Sequence, residues 1–319
     1  MVGKVDDQPV PEVIVGRAAV VDSVQVIGFL GTGRMGLPMC ANLVRAGHDV
    51  VAHDLRPELE AEVLAIGAAW APTASEAAAA ADVLITMLPG PHEVVEAMTG
   101  AGGALRALPA GATWIDMTSN SSASAEPIRL LAVARGVDVL EAPVGGGVSA
   151  AEAGALKLFV GGDAEVLGRH RALLEVFGDP HRIIHVGGPG AGFTTKLLVN
   201  LLWFGQAVAT AEAMLLGKRA GIDLGLLRTA LADSAAGGDF IRRDLDALLA
   251  GDYMRSFGLD RCYEELANVS AQARSYGLPF ELSDLVCRIY GRALTRYGPV
   301  DGELLAVALL EDEAGIELR

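Results

Sequence analysis

Cysteine, cationic residues and long apolar runs are all scarce in this chain, and each shortage removes a class of function. Only three cysteines occur in 319 residues, Cys40, Cys262 and Cys287. An odd number of thiols so far apart supports neither a disulfide framework nor a thiolate metal site. The expectation is reduced, packed thiols in a cytoplasmic protein. The histidines, among them His53 and His92, form no ligand-spaced cluster, so no metal is assigned. Lys and Arg total 25 against 40 Asp and Glu, a formal net charge of −15. A field of that sign repels phosphate backbones and anionic lipid, so neither nucleic acid nor a membrane surface is an expected partner. It leaves an anionic substrate open, because a local cationic pocket can oppose the global field. No uncharged stretch reaches the roughly 18 residues that a spanning helix needs. Near the N-terminus, Asp22 interrupts the apolar residues, and Asp6, Asp7 and Glu12 stand where a signal peptide would carry basic side chains. No export signal is read there, and residues 1–22 read as a loose extension with room for a short strand.

What the chain has is apolar material, 51% of its residues, enough for a real core. Its length predicts two domains. Apolar runs of strand type at 24–30, 49–54, 83–88, 113–117, 137–140, 156–160 and 182–186 alternate with helical patterns at 35–46, 57–66, 92–98, 125–135 and 164–177. The Ala-rich residues 74–81 read as one more short helix. Alternation at this spacing predicts a mostly parallel sheet covered on both faces. Beyond Gly187-Gly-Pro-Gly-Ala-Gly192 the strands stop. A long helix is expected over 193–220, then further helices near 224–235, 239–250, 260–276, 280–297 and 303–312. The division is therefore 23–188 for the α/β domain and 189–319 for an all-helical one.

The first strand runs directly into Gly31-Thr-Gly-Arg-Met-Gly36 and then a helix. Alone this glycine pattern would be weak, but strand and helix supply the context that a dinucleotide fingerprint requires. Gly31 allows the tight turn, Gly33 lets backbone approach a pyrophosphate, and Gly36 lets helix and strand pack closely. The helix N-terminus offers free N–H groups to the phosphates, bringing Thr32, Arg34 and Met35 into the candidate site. Asp54 ends the second strand 18 residues after Gly36, where an acid can accept from both ribose hydroxyls. It also repels a 2′-phosphate, so NAD is favoured; Arg56, two residues on, keeps NADP possible.

Lys196 and Asn200 are one helical turn apart in an apolar stretch, hence on one face. A lysine facing a cleft of low dielectric loses hydration and its pKa falls. It can then exchange a proton with a substrate hydroxyl while a hydride leaves the carbon. A snorkelling lysine beside a solvated asparagine fits the helix equally well. Trp203, Phe204, Phe240 and Tyr263 either wall a pocket or belong to the core.

Taken together, Gly31-Thr-Gly-Arg-Met-Gly-Leu-Pro-Met39, Asp116-Met-Thr-Ser119, Glu141-Ala-Pro-Val-Gly-Gly-Gly-Val148 and Gly190-Ala-Gly-Phe-Thr-Thr-Lys-Leu-Leu-Val-Asn200 occur in this order. Over residues 24–280 the chain resembles the β-hydroxyacid dehydrogenase family, which includes 3-hydroxyisobutyrate dehydrogenases and tartronate semialdehyde reductases. The resemblance implies a Rossmann-type N-terminal domain, a long interdomain helix and an all-α C-terminal domain through which homo-oligomers form. It implies that Lys196 is the acid/base and that Asn200 positions a small-molecule substrate. Leu88, Pro89, Thr118 and Ser119 would line the nicotinamide side of the cleft. Gly145, Gly146 and Gly147 would offer backbone N–H groups to a substrate carboxylate.

The chain departs from the family pattern twice. Gly145-Gly146-Gly147 stands where members carry Ser-Gly-Gly, and Glu264-Glu265 where they carry Lys-Asp. Together these predict a bulkier, less anionic substrate, or one carrying an amine that Glu264 could pair with, unless Glu264 is turned away and Arg261 compensates. Two other functions remain open: an imine reductase using NADPH, and a non-catalytic nucleotide-binding regulatory protein.

Overall fold

The computed structural model describes residues 24–319. The expected extension at 1–22 lies outside them. In chain order the first part comprises β1 (Val26–Leu30), α1 (Gly36–Arg45), β2 (Asp49–His53), α2 (Glu60–Ala65), β3 (Ala69–Trp70), α3 (Ala74–Ala78), β4 (Val83–Thr86), α4 (Pro91–Thr99), β5 (Thr113–Asp116), α5 (Ser122–Ala134), β6 (Asp138–Glu141), β7 (Val144–Gly145), α6 (Gly147–Glu152), β8 (Leu156–Gly162), α7 (Ala164–Leu174) and β9 (Gly178–Gly187). The strands form one sheet in the order β3-β2-β1-β4-β5-β6-β8-β7, with β9 on β8. From β3 to β6 all neighbours are parallel. β4 and β5 are buried along their whole length, as strands covered on both faces must be. One apolar cluster lies on each face: Phe29, Met39, Ile85 and Leu158 belong to one, Leu30, Leu84, Trp114 and Ile128 to the other.

The alanine-rich helix has a packing reason. A Cβ on Gly28 would lie 2.5 Å from the Ala77 carbonyl oxygen, so α3 sits hard against β1 and only small residues fit between them. Three features differ from the alternating pattern. The two-residue strands β3 and β7 were not foreseen. β8 runs antiparallel to both β6 and β7, the chain turning back through α6. The residues expected to start the second helix, Pro57–Leu59, form a 3-10 turn ahead of α2.

After β9 come only helices among the described residues: α8 (Ala191–Arg219), α9 (Leu224–Ala232), α10 (Leu245–Leu249), α11 (Leu259–Ser275), α12 (Glu281–Tyr297) and α13 (Leu305–Ala314). A π-helical turn, Phe240–Asp244, leads into α10 where one regular helix was expected. α8, 29 residues long, packs on β8 and on α11, α12 and α13, with Leu197, Leu201, Phe204 and Val208 buried. It is long and apolar enough to cross a membrane by length and composition, although Lys196 and Glu212 keep its uncharged run below the expected spanning length. Its apolarity is used in packing: 44% of that window is buried inside the protein. The aromatic alternatives resolve toward the core, since Phe204 and Phe240 are buried and stack with Trp203 and Tyr290. Tyr263, half-exposed, packs its ring on Gly291.

One side chain ties α8 to the sheet. Glu141, at the end of β6 and 4% exposed, accepts from the backbone N–H groups of Gly190, Gly192 (3.1 Å) and Phe193 (3.4 Å). It thereby caps donors that no helical carbonyl can reach. Glu141→Ala should leave these donors buried without partners and cost about 3 kcal/mol, read as a fall in the urea midpoint. An unchanged midpoint would show that the tie contributes nothing.

Candidate functional site

The glycine loop is shaped by contacts that leave no room for side chains. Gly31 has φ +97°, and a Cβ there would lie 2.3 Å from the Met87 carbonyl oxygen. On Gly36 it would lie 1.8 Å from the Gly31 oxygen, so α1 can start only because residue 36 is glycine. A Cβ on Gly33 would meet only the Arg56 guanidinium, at 3.3 Å, which leaves the loop open outward. The Thr32 hydroxyl is buried with no hydrogen-bond partner, while its N–H donates to Asp54 Oδ2 (2.9 Å). Arg56 donates to both Asp54 oxygens, Nε to Oδ1 at 3.0 Å and Nη2 to Oδ2 at 3.2 Å. Burial works against the Asp54 charge, yet bonds from Arg56 and Thr32 outweigh it and hold the carboxyl below the usual range. An open glycine loop, an orphaned hydroxyl and an anion ending β2 fit a dinucleotide. Met35 stands at the N-cap of α1. Arg34 reaches across to the helical part, donating to the Ser256 carbonyl (3.1 Å) and pairing with Asp301 (3.3 Å).

Beside this loop, buried Asp116 organises the ends of β4 and β5. Its Oδ1 accepts from the Thr86 hydroxyl (2.9 Å) and the Thr118 N–H (3.1 Å), and its Oδ2 from Asn120 (2.9 Å). Burial raises its pKa against these donors. The Thr118 hydroxyl in turn accepts from the Leu88 N–H (3.1 Å), fixing the loop that carries Leu88 and Pro89.

Across the cleft, α8 places Lys196 Nζ 3.1 Å from Asn200 Oδ1, as their spacing predicted. Asn200 Nδ2 donates to Glu265 Oε2 at 2.6 Å. Ser119, from the α/β part, also favours the Glu265 charge, so the series joins the α/β part to α11. Burial strips water from the Lys196 amine and lowers its pKa, although Glu265 and Glu303 pull the other way. Burial raises the pKa of Glu265 against Lys196, Asn200 and Ser119. It raises that of Glu303 as well, against a hydrogen bond from Ser256 and the charge of Lys196.

Glu264, the acid expected to face substrate, is not the one that meets this group. Its side chain is 37% exposed and pairs with Arg261 Nη1 (3.0 Å), whose Nη2 reaches Glu93 on α4 (2.6 Å). The compensating alternative, with Arg261 as partner, describes what is observed. The neighbouring Glu265, 6% exposed, takes the inner place because it shares the buried stripe of Cys262, Leu266 and Val269. That period was readable in the sequence, whereas Glu303 and Ser256, lying between helices, carried no local signal. In the glycine-rich loop, Gly145 pairs with Lys157, and Gly146 and Gly147 hold φ +119° and +68°. No hydrogen bond links these three to Lys196 or Asn200 among the described residues.

With this geometry in place, comparison with known proteins is informative. Residues 26–187 match the family described as the NAD binding domain of 6-phosphogluconate dehydrogenase. Residues 190–310 match that described as NAD-binding of NADP-dependent 3-hydroxyisobutyrate dehydrogenase. The chain is 33% identical over 271 residues to the 2-(hydroxymethyl)glutarate dehydrogenase of Eubacterium barkeri, covering 84% of this chain and 89% of that one. A solved 3-hydroxyisobutyrate dehydrogenase of Mycobacterium tuberculosis, with L-serine, superposes with a TM-score of 0.81 at 31% identity, covering 90% and 99% of the two chains. An imine reductase from Pseudomonas sp. reaches only 0.56 at 20% identity, over 90% and 99% of the chains, a likeness of fold alone.

Proposed function

The chain belongs to the β-hydroxyacid dehydrogenase family, and from that premise we propose that Lys196 is its general acid/base, with Asn200 as the group that positions it. The protein is an NAD(P)-dependent oxidoreductase acting on the hydroxyl group of hydroxy acids. The observation that carries the residue assignment is a half-buried lysine amine held 3.1 Å from an asparagine oxygen in the cleft, its pKa lowered by burial.

A bound nicotinamide would supply the hydride acceptor for the substrate carbon, and the remaining work falls to side chains. The neutral Lys196 amine takes the hydroxyl proton during oxidation and returns it during reduction. Because Asn200 Nδ2 is committed to Glu265, its Oδ1 is turned to Lys196, which fixes the direction of the amine. Gly31, Thr32, Gly33, Arg34, Met35 and Gly36 would receive the pyrophosphate at the start of α1. Leu88, Pro89 and Thr118 would bound the nicotinamide. Thr118, Ser119 and the backbone of Gly145, Gly146 and Gly147 would face substrate. NAD is the favoured cofactor because Asp54 stands where a 2′-phosphate would lie, and NADP needs Arg56 to leave that acid.

The assembly we propose is a cytoplasmic homo-oligomer built through the helical domain, 189–319. Leu198, Val199 and Leu202 on α8 and Leu282 and Leu285 on the adjoining α12 are exposed, Leu202 by 65% and Leu282 by 75%. A second copy is the expected cover for such a surface.

Lys196→Ala should lower kcat by about a thousandfold while NAD binding, followed by fluorescence, persists. In the wild type, kcat/KM for oxidation should rise with pH as the amine loses its proton. It should level off below the pKa of a free lysine, since burial lowers that of Lys196. A profile flat across that range would refute the role. Asp54→Ser, freeing Arg56, should raise the NADP-to-NAD ratio of kcat/KM by about tenfold or more, some 1.4 kcal/mol. Leu202→Glu should lower the molar mass seen in sedimentation equilibrium; a monomeric wild type would refute the assembly.

A further inference from the structure

We infer that Glu303 is a positioning residue for the reaction: fixed by Ser256 on a ribbon that Arg34 clasps from the glycine loop, it stabilises the positive charge that Lys196 gains with the substrate proton. The inference rests on the reading of Lys196 as the proton acceptor and adds the group that holds its charge.

Glu303 lies between α12 and α13, where residues 300–304 run beside residues 253–259. Gly258 and Asp301 form an antiparallel bridge. The Gly302 N–H donates to the Phe257 carbonyl (2.9 Å) and the Leu304 N–H to that of Tyr253 (3.0 Å). Glu303 itself is held at three points. Its N–H donates to the Met254 carbonyl (3.1 Å), its carbonyl accepts from the Tyr290 hydroxyl (2.9 Å), and its Oε1 accepts from the Ser256 hydroxyl. Met254, at φ +54°, is the one non-glycine residue in the left-handed region among the described residues. A residue keeps such a conformation only where its surroundings enforce it. From the other lobe, Arg34 donates to the carbonyls of Arg255 (3.4 Å) and Ser256 (3.1 Å) and pairs with Asp301 (3.3 Å). One guanidinium of the cofactor loop thus grips both strands of the ribbon that carries Glu303.

No hydrogen bond joins Glu303 to Lys196 among the described residues, so the two act on each other through charge. The amine is faced by Glu265 from α11 and by Glu303 from the ribbon. Glu303 is acted on by Lys196, by Glu265 and by Asp244 of the π-helical turn, and its own charge reaches the Cys262 thiol and the Tyr290 hydroxyl. Burial disfavours the ammonium form of Lys196. A base whose proton affinity is driven too low fails to hold the proton it takes, and catalysis is best when that affinity lies near the working pH. Glu303 opposes the loss. The Ser256 donor favours its charged form, and an anion already fixed in place needs no rearrangement as positive charge grows on Nζ. Glu265 fixes the direction of the amine through Asn200 as well as acting on its charge. Glu303 has no hydrogen bond to Asn200 among the described residues and acts on the charge alone.

The test reads the proton affinity of Lys196 directly. Acetic anhydride acetylates an amine only in its neutral form. Brief labelling across a pH series, followed by proteolysis and mass spectrometry, gives the Lys196 midpoint, with the exposed Lys157 as internal reference. In Glu303→Gln the midpoint should move to lower pH, and at a pH below the wild-type midpoint Lys196 labelling should rise about threefold or more. Ser256→Ala, a change at an exposed residue, should move it the same way by less. The rising limb of kcat/KM for 3-hydroxyisobutyrate at saturating NAD should follow the midpoint down. Its plateau should fall about threefold or more, because a weaker base has less driving force. Structural damage alone would lower the plateau and leave the midpoint in place. An unmoved midpoint in Glu303→Gln, beside a wild-type limb that follows its own midpoint, would overturn the role of Glu303 and leave Lys196 as the acid/base. A wild-type limb that does not follow the midpoint would overturn both. The labelling needs no substrate, so it decides for Glu303 whether or not this alcohol is turned over.

Discussion

A half-buried lysine amine at the junction of two lobes is the constraint around which the rest of the structure is arranged. An ammonium group loses several kcal/mol of hydration on burial unless partners replace the water. Here Asn200 supplies one acceptor, and Glu265 and Glu303 supply charge. The result is an amine with a lowered pKa beside acids with raised ones, the arrangement expected where protons move. None of the three would be stable there alone. Ser119 on the α/β side, Asn200 on α8 and Glu265 on α11 are parts of one polar series crossing an otherwise apolar contact.

That series has meaning only if α8 is held in register with the sheet. Glu141 does so by capping the first turn of α8 from the end of β6, and Asp116 does the same for the loop bearing Thr118 and Ser119. Both carboxylates are buried and each is hydrogen-bonded by several donors, so each is costly to desolvate and costly to remove. At the rim of the cleft, Arg34 and Arg261 cross between the lobes to Asp301 and Glu93. Arg34 belongs to the glycine loop and Arg261 to α11, so the two cofactor-side elements are bridged independently. These rim pairs are partly solvated and are worth less than the buried bonds, so they set alignment more than stability.

Much of this was legible because the informative residues obey local rules. Gly31, Gly33, Gly36 and Asp54 report a strand, a tight turn and a helix start, all decided within about thirty residues. Helical spacing put Lys196 and Asn200 on one face, and only the resemblance chose between a reactive pair and a solvated one. Glu264 shows where that logic stops. Sequence placed an acid in a position that the family gives to a cation, but which of two adjacent acids faces inward depends on the packing of α11. Its apolar stripe selects Glu265. Glu303 and Ser256 were out of reach, since nothing in a turn between helices shows that it folds back on a lysine. The direction of β8 was equally hidden, because a strand pattern carries no sense of polarity.

The replacement of a lysine by Glu264 therefore does less, and the acid beside it more, than charge reversal alone implies. Arg261, three residues earlier on the same face, absorbs the new negative charge and turns it toward Glu93 at the rim. The reacting end is left with one amine and two inward carboxylates. A cleft so composed sets an amine among acids that act on its charge from two sides. The amine and the carboxylate that fixes its asparagine partner reside on different helices, α8 and α11, so the packing of those two helices sets their geometry.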